Sequence, residues 1–164
     1  MKNVILTNEQ IQQKIKRIAY QIYESNSAEN KLVIAGITGN GFQLALKLKT
    51  SLETISKLEI ILCEVKIDKK NPLRPISTSI PLTLIEDLSV VLVDDVLNSG
   101  KTLIYGVAHF LQVPLKQFKT AVLINRNHKN YPVKADFKGL SLSTTAQEHI
   151  SLEIKNEVFT AYLK

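Results

Sequence analysis

The chain has 164 residues, 45% of them hydrophobic, which is the size of one ordinary domain (residues 1–164) able to bury a core without staples. A single cysteine, Cys63, excludes a disulfide framework and a cysteine-based zinc site. The apolar stretch in Met1-Lys2-Asn3-Val4-Ile5-Leu6-Thr7 is too short for a signal peptide, and no window is long enough to span a bilayer. The reading is of a soluble, cytoplasmic protein whose net charge of +6 favours polyanions, either phosphorylated metabolites or nucleic acid.

Thr7 followed by Gln10 is a capping-box pattern, and Ile11, Ile15, Ile18, Ala19 and Ile22 recur at helical spacing, so a first helix is predicted from about Thr7 to Ser25. Leu32-Val33-Ile34-Ala35-Gly36-Ile37 reads as a buried strand. It ends in the loop Thr38-Gly39-Asn40-Gly41 and leads into the helical pattern Phe42, Leu44, Ala45, Leu48. Leu58 to Lys66 is a second strand with Cys63 packed as a small hydrophobe, and residues 68–81, which hold Pro72, Pro75 and Pro81, form a loop or loose hairpin. Val90-Val91-Leu92-Val93 is a third strand, residues 94–100 a loop, Lys101 to Gln112 a helix, and Phe118 to Ile124 a fourth strand. Continuous apolar strands alternating with helices indicate an α/β, doubly wound, mainly parallel sheet. Residues 125–149 lack a clear period and are expected to form a small irregular lobe, before a last strand at about Ile150 to Ile154 and a short tail.

Ligands of open parallel sheets bind at the carboxyl ends of the strands. Two loops lie there, and Asp94-Asp95-Val96-Leu97-Asn98-Ser99-Gly100-Lys101-Thr102 is the better anion site, because successive backbone N–H groups at a helix N-terminus cradle phosphate. Its ending mimics a nucleotide triphosphatase P-loop, but that motif needs a glycine where this chain has Asp95, so it is rejected. Adjacent carboxylates directly after four aliphatic residues repel one another unless something uses them. A ribose diol, offering two donors to acceptor-only groups, is a natural user; solvated acids beside a helix cap are the plainer alternative.

The run Val90 to Thr102 resembles, along its whole length, the phosphoribosyl pyrophosphate (PRPP) signature of type I phosphoribosyltransferases. The resemblance implies that Asp94 and Asp95 hold the ribose 2′- and 3′-hydroxyls and that Asn98, Ser99, Gly100, Lys101 and Thr102 cradle the 5′-phosphate. The opening helix, the Gly36 to Gly41 segment, and Arg126-Asn127-His128-Lys129 through Ala135-Asp136-Phe137-Lys138-Gly139 further resemble the PyrR family, with a shorter stretch at residues 68–81. Members of that family attenuate pyrimidine operons by binding RNA, and many also convert uracil and PRPP to uridine monophosphate. The resemblance therefore implies Mg²⁺ as cofactor, PRPP and a nucleobase or nucleoside monophosphate as ligands, and a homodimer. Any Mg²⁺ would be held by Asp94 and Asp95 through PRPP and water.

Displacing pyrophosphate from the anomeric carbon needs donors aimed at the leaving group, and Thr38, Gly39, Asn40 and Gly41 match the loop that supplies them. The family pattern usually has arginine where Asn40 stands, so the charge and bidentate fork are lost and slow turnover is expected. Asn98 stands where purine-using relatives carry an aspartate, and an amide is no proton acceptor, which makes uracil the first choice of base. Residues 68–81 fit a lid from which Lys69, Lys70 and Arg74 reach pyrophosphate, with an ordinary surface hairpin as the alternative. For RNA, matching basic positions are Arg17, Lys129 and Lys134, although Tyr20 and Leu140 replace a usual histidine and lysine. His109 and His149 read as structural or surface residues, and His128 as a lobe residue that ligand or RNA can reach. The competing reading is a non-catalytic regulator that senses PRPP or a nucleotide and binds RNA. An unrelated flavodoxin-like nucleotide binder would leave the paired acids unexplained.

Overall fold

The capping box closes as its spacing demands: Thr7 Oγ1 accepts from the Gln10 N–H at 3.3 Å, and Gln10 Oε1 accepts from the Thr7 N–H at 2.9 Å. In the computed structural model, which describes residues 1–164, this box opens helix α1 (Asn8–Glu24), and the predicted stripe Ile11, Ile15, Ile18, Ala19 and Ile22 is buried. Strand β1 (Asn3–Leu6) precedes it. Then follow β2 (Lys31–Ile37), α2 (Asn40–Ile55), β3 (Glu59–Lys66), β4 (Ser77–Thr78), β5 (Ser89–Leu97), α3 (Lys101–Phe110), β6 (Gln117–Asn125), β7 (Phe137–Ser141), β8 (Ile150–Lys155) and β9 (Val158–Leu163).

Six strands form one sheet in the order β4-β3-β2-β5-β6-β7, parallel except for the two-residue β4, which pairs antiparallel with β3. Alternation within each strand feeds two cores. Ile34, Val91, Val93 and Leu123 face α1 and α2, whereas Val33, Ala35, Leu92 and Val122 pack with Leu103 and Phe110 of α3. That two-faced packing is the doubly wound arrangement. Cys63 is buried in the second core, and burial pushes its thiol pKa up, which suits a packing residue.

Three expectations need correction. The segment after Val93 is not yet a loop: β5 continues to Leu97, because β6 runs beside it and keeps pairing through Asp94↔Val122 and Leu97↔Asn125. The supposed irregular lobe contains β7, a parallel edge strand beside β6 that buries only Phe137 and Gly139. The tail is β9, which forms a hairpin with β8 across Asn156 and Glu157, both at positive φ, and pairs on its other side with β1. Leu152, Phe159 and Ala161 of this second, antiparallel sheet join the core that holds α1 and α2.

Candidate functional site

Because β5 lies between β2 and β6, its carboxyl end is flanked by two further strand ends, and the loop to α3 opens into a cleft. Asp94, Asp95, Lys101 and Thr102 line it together with Asn98, Ser99 and, from the loop after β3, Lys69. The predicted diol acceptors and phosphate cradle thus share one wall.

Asp94 is buried, 5% exposed, and its Oδ1 accepts from the Asp95 N–H at 2.9 Å. Burial, and then the neighbouring Asp95 charge, push its carboxyl up to about 7, against which the Lys69 charge acts. Asp95 Oδ1 accepts from the Val96 N–H at 2.8 Å. Lys69 Nζ lies 3.4 Å from Asp94 Oδ1 and 4.0 Å from Asp95 Oδ1. Burial acts to lower the Lys69 pKa, but the two carboxylates together outweigh it and the net shift is upward.

Gly100 takes φ 86°, a left-handed angle suited to glycine, and turns the chain into α3. A Cβ there would also lie 2.6 Å from Val133 Cγ1, so the lobe is packed onto the loop. Asn130 and Tyr131 N–H groups donate to the Ser99 carbonyl at 2.8 and 3.1 Å, which fixes the loop's outer strut. Ser99 Oγ accepts from the Lys101 N–H at 3.2 Å, leaving its hydroxyl proton to donate elsewhere.

The loop after β2 sits differently from what its sequence suggests. Thr38 is not a free donor: its N–H and its hydroxyl both bond to the Val65 carbonyl, at 2.8 and 2.9 Å. The Asn40 side chain is also spent, donating to Leu152 O at 2.8 Å and Asp95 Oδ2 at 3.2 Å. Gly39 and Gly41 keep their N–H groups at the first turn of α2, and Gly41 packs so tightly that a Cβ would lie 3.0 Å from Asp94 Oδ1. Through Asn40 and Gly41 this loop contacts Asp95 and Asp94 directly.

Residues 126–149 hold a group that sequence reading passed over. Arg126 is 8% exposed, and its guanidinium donates to Asn98 Oδ1 at 3.0 Å, Thr144 Oγ1 at 2.9 Å, Thr145 O at 3.2 Å and Glu148 O at 2.7 Å. The available signal was an arginine directly following an apolar strand at the sheet's ligand-binding edge. His128 Nε2 touches the Thr144 carbonyl. His149 exchanges backbone bonds with Lys164.

The basic positions are supported separately. Arg17 Nη2 and Nη1 donate to the carbonyls of Gly139 and Lys138 at 2.6 and 3.2 Å, clamping α1 onto β7. Lys134 lies 3.4 Å from Asp136, and Lys129 is exposed in the loop before Asn130.

Residues 2–157 match the family described as phosphoribosyl transferase domain. The chain belongs to that family. Among its relatives are the bifunctional proteins PyrR of Bacillus subtilis, 31% identical over 93% of this chain and 90% of that protein, and of Streptococcus gordonii, 32% identical over 85% and 83%. This phosphoribosyltransferase also shares its fold with the hypoxanthine phosphoribosyltransferase of Trypanosoma cruzi, with TM-score 0.79 and 17% identity over 97% of this chain and 95% of that one. A hypoxanthine-guanine phosphoribosyltransferase from Bacillus anthracis aligns at TM-score 0.71 and 21% identity over 87% and 84%. No helix is long and apolar enough to cross a membrane.

Proposed function

We propose that the protein, acting as one cytoplasmic domain, transfers ribose 5-phosphate from PRPP to a nucleobase, uracil first, and releases pyrophosphate. The observation that carries this is the sharing of one cleft wall by Asp94, Asp95 and the Asn98 to Thr102 loop. Carboxylates able to accept from a diol adjoin a loop that runs into a helix N-terminus, an arrangement that suits a sugar 5-phosphate and supports the reading. In the step itself a base nitrogen bonds to the anomeric carbon, the bond from that carbon to the pyrophosphate oxygen breaks with its electron pair leaving on pyrophosphate, and the proton of the base nitrogen passes to the released pyrophosphate or to solvent. The Gly39 and Gly41 N–H groups would follow the leaving group only if the loop after β2 opens from its present packing.

No cluster of three metal-ligating side chains exists in the chain. Two adjacent carboxylates suit Mg²⁺, which retains waters and takes phosphate oxygens as ligands, and do not suit a metal that needs a closed protein cage. Asp94 and Asp95 would hold it through water, and when bound it supplies neutralising charge to the pyrophosphate.

Turnover of Mg²⁺–PRPP with uracil, hypoxanthine, guanine, xanthine and orotate tests the reading, alongside titration calorimetry of PRPP. Uracil consumption is expected, and an Asp94→Asn, Asp95→Asn double variant should bind PRPP much more weakly. Unchanged affinity in that variant would remove the site. A second reading, a PRPP- or nucleotide-sensing RNA regulator, is favoured by the Asn40 side chain, which donates to Asp95 and Leu152 and brings no charge to pyrophosphate. Binding of PRPP and a pyrimidine-leader RNA without turnover would select it. A homodimer would suit either.

A further inference from the structure

Arg126 makes four side-chain bonds, and every acceptor is neutral; no carboxylate comes within ion-pair distance of its guanidinium. Burying a cation without an acidic partner is costly, so the position is an expensive way merely to tie a lobe together. One of its bonds leaves the lobe and reaches Asn98 Oδ1 at 3.0 Å, in the wall of the cleft. A guanidinium has five donors and no acceptor, so only the oxygen of the Asn98 amide can face it. The orientation of that amide is therefore fixed by chemistry. Its Nδ2 makes no hydrogen bond within the chain, and Asn98 lines the cleft.

We infer that Arg126 is a positioning residue for base recognition, locking Asn98 so that the cleft offers the nucleobase N–H donors and no acceptor at this point. The inference deepens the phosphoribosyl-transfer reading and rests on it. An uracil carbonyl oxygen satisfies such a donor, and a base presenting its own N–H there is rejected because two donors face each other. An aspartate at position 98 would still accept from Arg126 through one oxygen. Its other oxygen would turn the donor into an acceptor without changing the shape of the side chain.

The test is titration calorimetry with uridine 5′-monophosphate and with ribose 5-phosphate. The two share phosphate and diol, and only the first carries a base, so the ratio of their affinities isolates base recognition. The wild type should prefer the nucleotide. Asn98→Asp should cut that preference about tenfold, the effect of replacing one hydrogen bond by two opposed acceptors. Arg126→Gln, which can donate or accept, should also reduce the ratio by letting the amide flip, and Arg126→Lys, a donor only, should retain most of it. A simple loss of lobe structure would lower both affinities or fail to respond to lysine rescue. If Arg126→Gln does not fold, the Asn98→Asp and Arg126→Lys proteins decide the matter. A nucleotide preference unchanged in Asn98→Asp, with both ligands still bound, overturns the inference and leaves the phosphate site intact. Failure of the wild type to bind ribose 5-phosphate overturns the site and this inference together.

Discussion

Lys69 Nζ sits 3.4 Å from the buried Asp94 carboxylate, so the group expected to reach for pyrophosphate instead neutralises the acids expected to hold the ribose. A diol ligand must displace this ammonium or share the carboxylates with it. Lys69 lies in the loop after β3, so the same contact ties residues 68–81 to the cleft wall.

Asp94 gives a pH dependence with a definite sign. Its carboxyl is pushed from the ordinary 3.8 up to about 7, so between those values the folded chain holds a proton that the unfolded chain has lost. The contribution is fully favourable below pH 3.8, declines as pH rises, and is gone above about 7. Its size is on the order of a few kcal/mol. Thermal denaturation of wild type and Asp94→Asn from pH 5 to 8 should show the variant gaining relative stability as pH rises. A constant difference would refute the shift. PRPP affinity should move the opposite way, rising toward pH 8 as the ionised acceptor forms, and Asp94→Asn should lose that rise.

Removing Lys69 should deepen the same effect. In Lys69→Met the positive charge that opposes the upward shift is lost, so the midpoint of pH-dependent PRPP binding should move up. Near pH 8 the folded state should lose about 1 kcal/mol, a modest figure because the lysine is half-exposed. Near pH 5, where Asp94 is protonated, the loss should shrink to what the 4.0 Å contact with Asp95 supplies. A midpoint that stays in place would show that the contact does not govern the acids.

Asn40→Arg places a guanidinium where the family pattern carries one. The substitution breaks the Asn40 bonds to Leu152 O and Asp95 Oδ2, which should cost about 1 kcal/mol of stability. It should raise steady-state turnover with uracil by up to roughly a hundredfold, the scale of one charge-stabilising donor at a transition state. A variant that binds PRPP but is no faster would mean that the loop is held closed over Val65 whatever residue stands at position 40.

The parts of this fold legible in the sequence are those with strong local signals. The Thr7–Gln10 box, the isoleucine stripe after it, and the aliphatic runs 32–37 and 90–93 announce themselves, because caps, helical period and double-sided burial each leave a pattern. Strand β7 left none: Lys138 and Gly139 lie inside it, and it exists because β6 offers an open edge. Strands β1 and β9 likewise depend on each other, across almost the full length of the chain. In the site, the run from Asp94 to Thr102 is readable because it is contiguous. The Lys69 contact and the Arg126 to Asn98 bond were not, since each joins residues 25 or more positions apart and depends on which strand ends become neighbours.

RNA binding is the prediction most altered by the geometry. Arg17, Lys129 and Lys134, the basic positions matched to RNA binding, differ in their local situation. Arg17 spends two donors on the Gly139 and Lys138 carbonyls, Lys134 lies beside Asp136, and Lys129 is exposed without a salt-bridge partner. An arginine has donors to spare for a phosphate after two are used, but replacing it also unclamps α1 from β7. The Lys129→Ala, Lys134→Ala double variant is therefore the cleaner probe, with Arg17→Lys as a separate step. Weak binding of a pyrimidine-leader hairpin is expected at low salt, falling steeply at moderate salt. Each lysine that contacts phosphate should account for about 0.7 to 0.9 of the slope of log affinity against log salt. Lys134 is already partly compensated by Asp136, so Lys129 should carry the larger share. Filter binding of wild type, both single variants and the double variant at several salt concentrations would measure this. Identical slopes in all four proteins would show that these lysines are solvated surface charges and that RNA, if retained, is held elsewhere.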